Sequence, residues 1–217
     1  MTDNLRITKM RRTSNGVEIS VFGEDASLLI SNATVERGSL REGVAVTPAQ
    51  MTRLRTEDDL LRCDRAAARL LAMRDYSEGD LRTKLLTRGF SQKAVKTALD
   101  KYRDLGALDD ARYAQNLGQN LLEQRPCGKA YLTAHLQKRK IERRLAEQTA
   151  DGLMAGRNTA AMAVAALEKR WSRFAHLDVE KARTRAYNYL ARRGFGYDES
   201  RRAFESVWDR NQKVEKD

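Results

Sequence analysis

One seven-residue phrase constrains the fold of this chain more than its composition does. It appears as KLLTRGF at 84–90, as HLQKRKI at 135–141 and as YLARRGF at 189–195. The copies start 51 and 54 residues apart. That period holds three short helices and their turns, and so implies tandem three-helix units. Each copy has the form of a helix end, with an apolar residue packing inward, one or two basic residues in the exposed last turn (Arg88; Lys138 and Arg139; Arg192 and Arg193), and Phe or Ile returning to the core. Gly89 and Gly194 can adopt the left-handed conformation that closes a helix without a Cβ penalty. Lys140 stands where the other copies have glycine, so it must take an unfavourable backbone or end its helix differently.

The units start in phase. TEDDLL opens the first near Thr56, LDDARYAQNL the second near Asp109, and NTAAMAVAAL the third near Asn158. Thr56 followed by Asp59 resembles a capping box. Ser77 with Asp80 caps the next helix, Ser91 opens another with Val95, Leu99 and Tyr102 on one stripe, and Gly106 stops it. Helices this short are unstable alone in water and must pack on one another. Upstream the pattern changes. GVEISVFG alternates apolar and polar residues at the period of a half-buried strand. Asn15-Gly16 precedes it as a turn, the polar GEDA break follows, and SLLIS supplies a partner strand. RGSLREG forms a turn, and VTPAQMTRL a short helix with Pro48 in its first turn. The expected division is a β-containing module at 1–55 and three-helix repeats at 56–106, 107–156 and 157–217, a mainly α fold.

The 41 Lys and Arg outnumber the 30 Asp and Glu, leaving +11 at neutral pH. Seven basic residues face one acid between Arg125 and Leu145, and ten face four between Lys169 and Arg202. Each segment nets +6, so the rest of the chain is close to neutral. Such a footprint favours a polyanion, either nucleic acid or an acidic protein surface. The candidate binding residues are Arg88, Arg125, Lys129, Lys138, Arg139, Lys140, Arg143, Arg144, Arg192 and Arg193.

Enzyme chemistry finds no foothold. His135 and His176 lie in different units with no nucleophile pattern beside them, and no phosphate-binding glycine loop or paired metal-ligand spacing occurs. The Asp109-Asp110 pair suits a helix N-cap with its dipole partner better than a metal site. No catalytic residue, cofactor or metal is expected. Trp171 and Trp208 fit a core. Cys63 and Cys127 share no motif, which points to a reducing cytoplasm. No apolar run reaches membrane-spanning length.

In their order and spacing, SEGDLRTKLLTRGF, LGALDDARYAQNL, GKAYLTAHLQKRKI and AYNYLARRGFGYDE resemble the successive signatures of the RecX family, regulators of the RecA recombinase. The similarity runs from about Thr56 to near Trp208, and the N-terminal strands are similar to a leader in longer members. The resemblance implies tandem three-helix repeats in an elongated, curved rod. It also implies a monomer that binds RecA–DNA filaments, with weaker affinity for single- and double-stranded DNA. Members inhibit ATP hydrolysis, strand exchange and coprotease activity, and so modulate recombinational repair and the SOS response. Asp109 and Asp110 match the family's acidic pair, and Arg192, Arg193, Gly194 and Phe195 its basic-glycine-aromatic phrase. A stand-alone helical DNA-binding protein is the alternative.

Overall fold

The computed structural model describes residues 5–14, 16–22 and 27–214. Asn15 of the expected turn and the GEDA break at 23–26 lie outside the described residues. The N-terminal module is an antiparallel sheet of β1 (Leu5–Thr13), β2 (Gly16–Val21), β3 (Leu28–Ile30) and β4 (Ala45–Val46), in the order β3-β2-β1-β4. The alternation read from GVEISV holds, since Val17, Ile19 and Val21 point into the module's core with Ile7 and Ile30. The strand β1, which the apolar pattern had not announced, pairs along β2 from Ile7↔Val21 to Thr13↔Gly16.

A short helix, α1 (Asn32–Arg37), leads into the 26-residue α2 (Pro48–Met73). The expected helix start at Thr56 is not there. Thr56 lies in the middle of α2, its hydroxyl donating to the Thr52 carbonyl at 2.9 Å. The working capping box is nine residues upstream, where Thr47 Oγ1 accepts from Gln50 N at 3.1 Å and Gln50 Oε1 accepts from Thr47 N at 2.8 Å. With Pro48 at N1 that box is complete, and no later residue interrupts the helix. One helix therefore closes the sheet through Met51 and contributes Cys63, Ala67 and Leu70 to the first repeat.

The remaining helices are α3 (Glu78–Thr87), α4 (Gln92–Asp104), α5 (Asp110–Gln124), α6 (Lys129–Lys138), α7 (Arg143–Met154), α8 (Thr159–Glu168), α9 (Val179–Arg192) and α10 (Tyr197–Val214), with a 3-10 turn at Trp171–Arg173. Side-chain caps start most of them: Ser91 accepts from Ala94 N, Asp109 from Arg112 N, Asn158 from Ala161 N and Asp178 from Lys181 N. Each triplet has its own apolar core. Leu81, Leu85, Val95 and Leu99 fill the first; Leu132, Leu136, Ile141 and Ala146 the second; Leu167, Leu190, Phe195 and Phe204 the third. Burying a leucine or phenylalanine contributes about 1.5–3 kcal/mol, so these clusters outweigh the weak propensities of such short helices. Trp171 and Trp208 meet edge to face at 5.8 Å and pack on the third core.

The chain divides into two compact units. One comprises residues up to 76 together with 81–108; the other comprises 77–80 and the chain from 109 onward.

Candidate functional site

All three copies of the repeated phrase end their helices in the same hydrogen-bonded loop. Phe90 N donates to Leu85 O and Gly89 N to Leu86 O. Ile141 N donates to Leu136 O and Lys140 N to Gln137 O, while Phe195 N donates to Leu190 O and Gly194 N to Ala191 O. This six-to-one and five-to-two pattern satisfies carbonyls that a helix end leaves open, and it requires a left-handed residue at C′. Gly89, Lys140 and Gly194 supply it with φ of 84°, 62° and 77°. Of the two outcomes open to it, Lys140 thus takes the unfavourable backbone and not a different helix end.

Within the second unit these turns also join repeat to repeat. The start of α6 rests on the turn after α9, where Gly128 N donates to Arg193 O at 2.8 Å. A Cβ on Gly128 would lie 2.0 Å from Gly194 O, and one on Gly194 would lie 2.2 Å from Tyr131 N. The first turn of α3 rests in the same way on the turn after α6. Ser77 Oγ donates to Arg139 O and accepts from Asp80 N, and a Cβ on Gly79 would lie 2.6 Å from Lys140 O. Asp110 Oδ1 accepts from Glu78 N at 2.7 Å. The acidic pair is therefore two caps: Asp109 on its own helix, and Asp110 on the helix that the joint brings to it.

This joint sorts the candidate cations. Arg139 and Arg193 hold equivalent places in the phrase, and their carbonyls are the joint's acceptors, so both are only half-exposed. The Arg193 guanidinium lies 5.7 Å from the Tyr189 ring centroid, with Nη1 buried and without a hydrogen-bond partner among the described residues. Lys129 pairs with Asp151, and Arg143 with Glu147 at 2.8 Å. Arg125, Lys138, Lys140, Arg144 and Arg192 are exposed and make no ion pair among the described residues. Lys138, Lys140 and Arg144 cluster around the turn between α6 and α7. Glu142 sits among them as the N-cap of α7, held below the usual carboxylate range by the amides of Arg144 and Leu145. Burial, with Arg139 and Lys138 nearby, lowers the pKa of His135, so it adds no charge to this turn at neutral pH. Arg88 lies in the first unit, exposed and unpaired among the described residues.

The phrase does not mark a second basic feature of this unit. Arg170, Arg173, Arg185 and Arg192 line a cleft of about 320 Å³ with Asn188, over a floor of Phe174 and Tyr189. None of the four arginines has an acidic partner among the described residues. Their convergence depends on the 3-10 turn after α8 folding back beside α9. The only trace of it in the sequence is the charge excess of the 169–202 segment. Among the described residues no side-chain set resembles a nucleophile and its base. Both thiols are buried, Cys63 pushed up to about 11 by burial with Asp59 and Asp64 adding to it, and Cys127 raised by burial. Among the described residues no helix is long and apolar enough to cross a membrane.

Comparison with known proteins agrees with this architecture. Residues 65–101 match the first three-helix domain of RecX and residues 159–204 the third. The regulatory protein RecX of Chromohalobacter salexigens is 31% identical over 143 residues, covering 66% of this chain and 91% of that protein. RecX of Syntrophotalea carbinolica is 32% identical over 132 residues, covering 60% and 86%. The fold is similar to a crystal structure of regulatory protein RecX with a TM-score of 0.65 at 18% identity, covering 94% of this chain and 99% of that one. RecX from Lactobacillus salivarius superimposes with a TM-score of 0.61 at 20% identity, over 70% and 97%. With its repeated helix ends, its joints and relatives matched along most of their length, the chain belongs to the RecX family of regulatory proteins.

Proposed function

We propose that this protein binds RecA–DNA filaments and restrains them, lowering ATP hydrolysis, strand exchange and coprotease activity. It thereby modulates recombinational repair and the SOS response. It acts as a monomer in the cytoplasm and is not an enzyme. One observation supports this beyond family membership: exposed, unpaired cations recur on successive repeats of the second unit, at Lys138, Lys140 and Arg144 and again at Arg192. Repeats that present charge in series make many modest contacts along a polymer. An inhibitor that spans neighbouring protomers hinders the subunit movements that accompany ATP turnover.

The test is RecA ATPase on single-stranded DNA titrated with this protein. Reversing charge at Lys138, Lys140, Arg144 and Arg192 together should raise the concentration needed for half-inhibition by tenfold or more, with helicity unchanged. Undiminished inhibition by that variant removes these residues from the interface. A stand-alone DNA-binding protein is the second reading, favoured by the four unpaired arginines around the cleft beside α9. Affinity for bare strand against recombinase-coated strand at equal salt separates the two.

A further inference from the structure

We propose that a cleft between the N-terminal sheet and the first repeat binds the phosphodiester backbone of a single DNA strand, with Arg62, Arg65, Arg69 and Arg88 as the phosphate ligands. All four line one cleft of about 400 Å³ in the first unit, and Ser14 and Asn32 face them from the sheet module. Among the described residues no carboxylate lines the cleft. Arg65, Arg69 and Arg88 have no acidic partner among the described residues.

The helix α2 is sorted by sign. Asp59 accepts from Ser91 N at 3.1 Å and Asp64 binds Lys101 at 2.7 Å, so both are directed toward α4. The buried Asp58 accepts from Ser31 N and the Thr34 hydroxyl through Oδ1. Its Oδ2 lies 3.8 Å from Arg62 Nη1, where it orients that side chain. The opposite edge of α2 is left with Arg62, Arg65 and Arg69, a ladder about 10 Å long at 1.5 Å per residue. Arg88 joins it from the end of α3. Three of these four guanidinium groups, on Arg65, Arg69 and Arg88, lack a counter-charge among the described residues and repel one another, and an anion held between them removes that repulsion.

Several features favour nucleic-acid phosphate over an acidic protein surface. Every cation is arginine, whose planar fork grips phosphate and carboxylate oxygens alike in pairs, so the discrimination rests on what faces them. Hydroxyl and amide groups on the facing wall are the usual neutral partners of phosphate. The ladder, about 10 Å long, is long enough to face more than one phosphate of a strand. The N-terminal module supplies the wall that turns an arginine edge into a groove. This inference stands apart from the recombinase reading, because it is tested with bare DNA.

The experiment measures binding of the full chain to a labelled oligothymidylate of about twenty nucleotides across a salt series, against the double variant Arg65→Gln, Arg69→Gln. Both side chains are exposed and unpaired among the described residues, so the variant should keep its helicity and melting temperature. Each lost phosphate contact should weaken binding about fivefold near 0.1 M salt and reduce the salt slope by about 0.7. The double variant should therefore bind roughly twenty-five-fold more weakly, and Arg88→Gln about fivefold more weakly. Unchanged affinity and slope in both variants would overturn the proposal. A polyglutamate peptide that binds more tightly than the strand and depends on the same arginines would overturn it in favour of an acidic protein. Displacement of the strand by millimolar inorganic phosphate at constant ionic strength would reduce the cleft to a free-anion pocket.

Discussion

The turns at Gly89 and Gly194 share the residues Arg-Gly-Phe and the same hydrogen-bonded closure, with φ of 84° and 77°. Around Gly89 no described residue beyond its own turn comes within 4 Å of where a Cβ would stand; around Gly194 the main chain of Tyr131 stands 2.2 Å away. The phrase is thus a local instruction for ending a helix. Whether it also becomes a joint depends on what arrives from elsewhere in the chain. The turn at Lys140 lies between these cases. It forms a joint, but with a residue that bears the left-handed strain.

Substitutions should separate those roles. Gly194→Ala adds a Cβ against immovable main chain as well as backbone strain. It should cost more than about 3 kcal/mol and melt the third repeat before the rest, visible as early amide exchange in α9 and α10. Gly79→Ala meets Lys140 at 2.6 Å and should cost about 2 kcal/mol by overpacking the other joint, measured by denaturant titration. Gly89→Ala incurs only the left-handed penalty, less what the unfolded chain loses in freedom. A fall of about 1 kcal/mol by the same titration is expected. If Gly89→Ala proved as damaging as Gly194→Ala, the contrast between open and packed turns would collapse. Lys140→Gly should act in the opposite direction and raise stability by about 0.5 kcal/mol.

The smallest effect is on pH dependence. The folded pKa of His135 is depressed below 6.5, chiefly by burial. On acidification through 6.5 the unfolded chain takes up its proton first, so stability falls with pH in that window and levels off below the folded value. Thermal melts of His135→Gln between pH 7 and 5 should show a flatter profile than wild type.

Much of the fold was legible because its signals are local. Cap residues such as Ser91, Asp109 and Asn158 act on amides three positions away, and the alternation of Val17, Ile19 and Val21 sets a strand face within six residues. The start at Thr56 misled for a related reason. A Thr with an acid three residues on is a valid cap only if no helix already runs through it, and the Thr47 box upstream had launched one. The candidate cations were legible as residues but not as surfaces. Arg139 and Arg193 look like their neighbours in the sequence, yet the joint turns them partly inward. Arg62, Arg65 and Arg69 sit in a nearly neutral stretch, and the fold sends its Asp59 and Asp64 toward α4 and buries its Asp58.

The sequence by itself determined the repeat, its helix ends and the net charge of each segment, because these rest on backbone geometry and on sums over neighbouring residues. Only the tertiary structure decided which left-handed turns become joints and which arginines converge on a cleft. Both depend on distances between atoms far apart along the chain, and no periodicity encodes those distances.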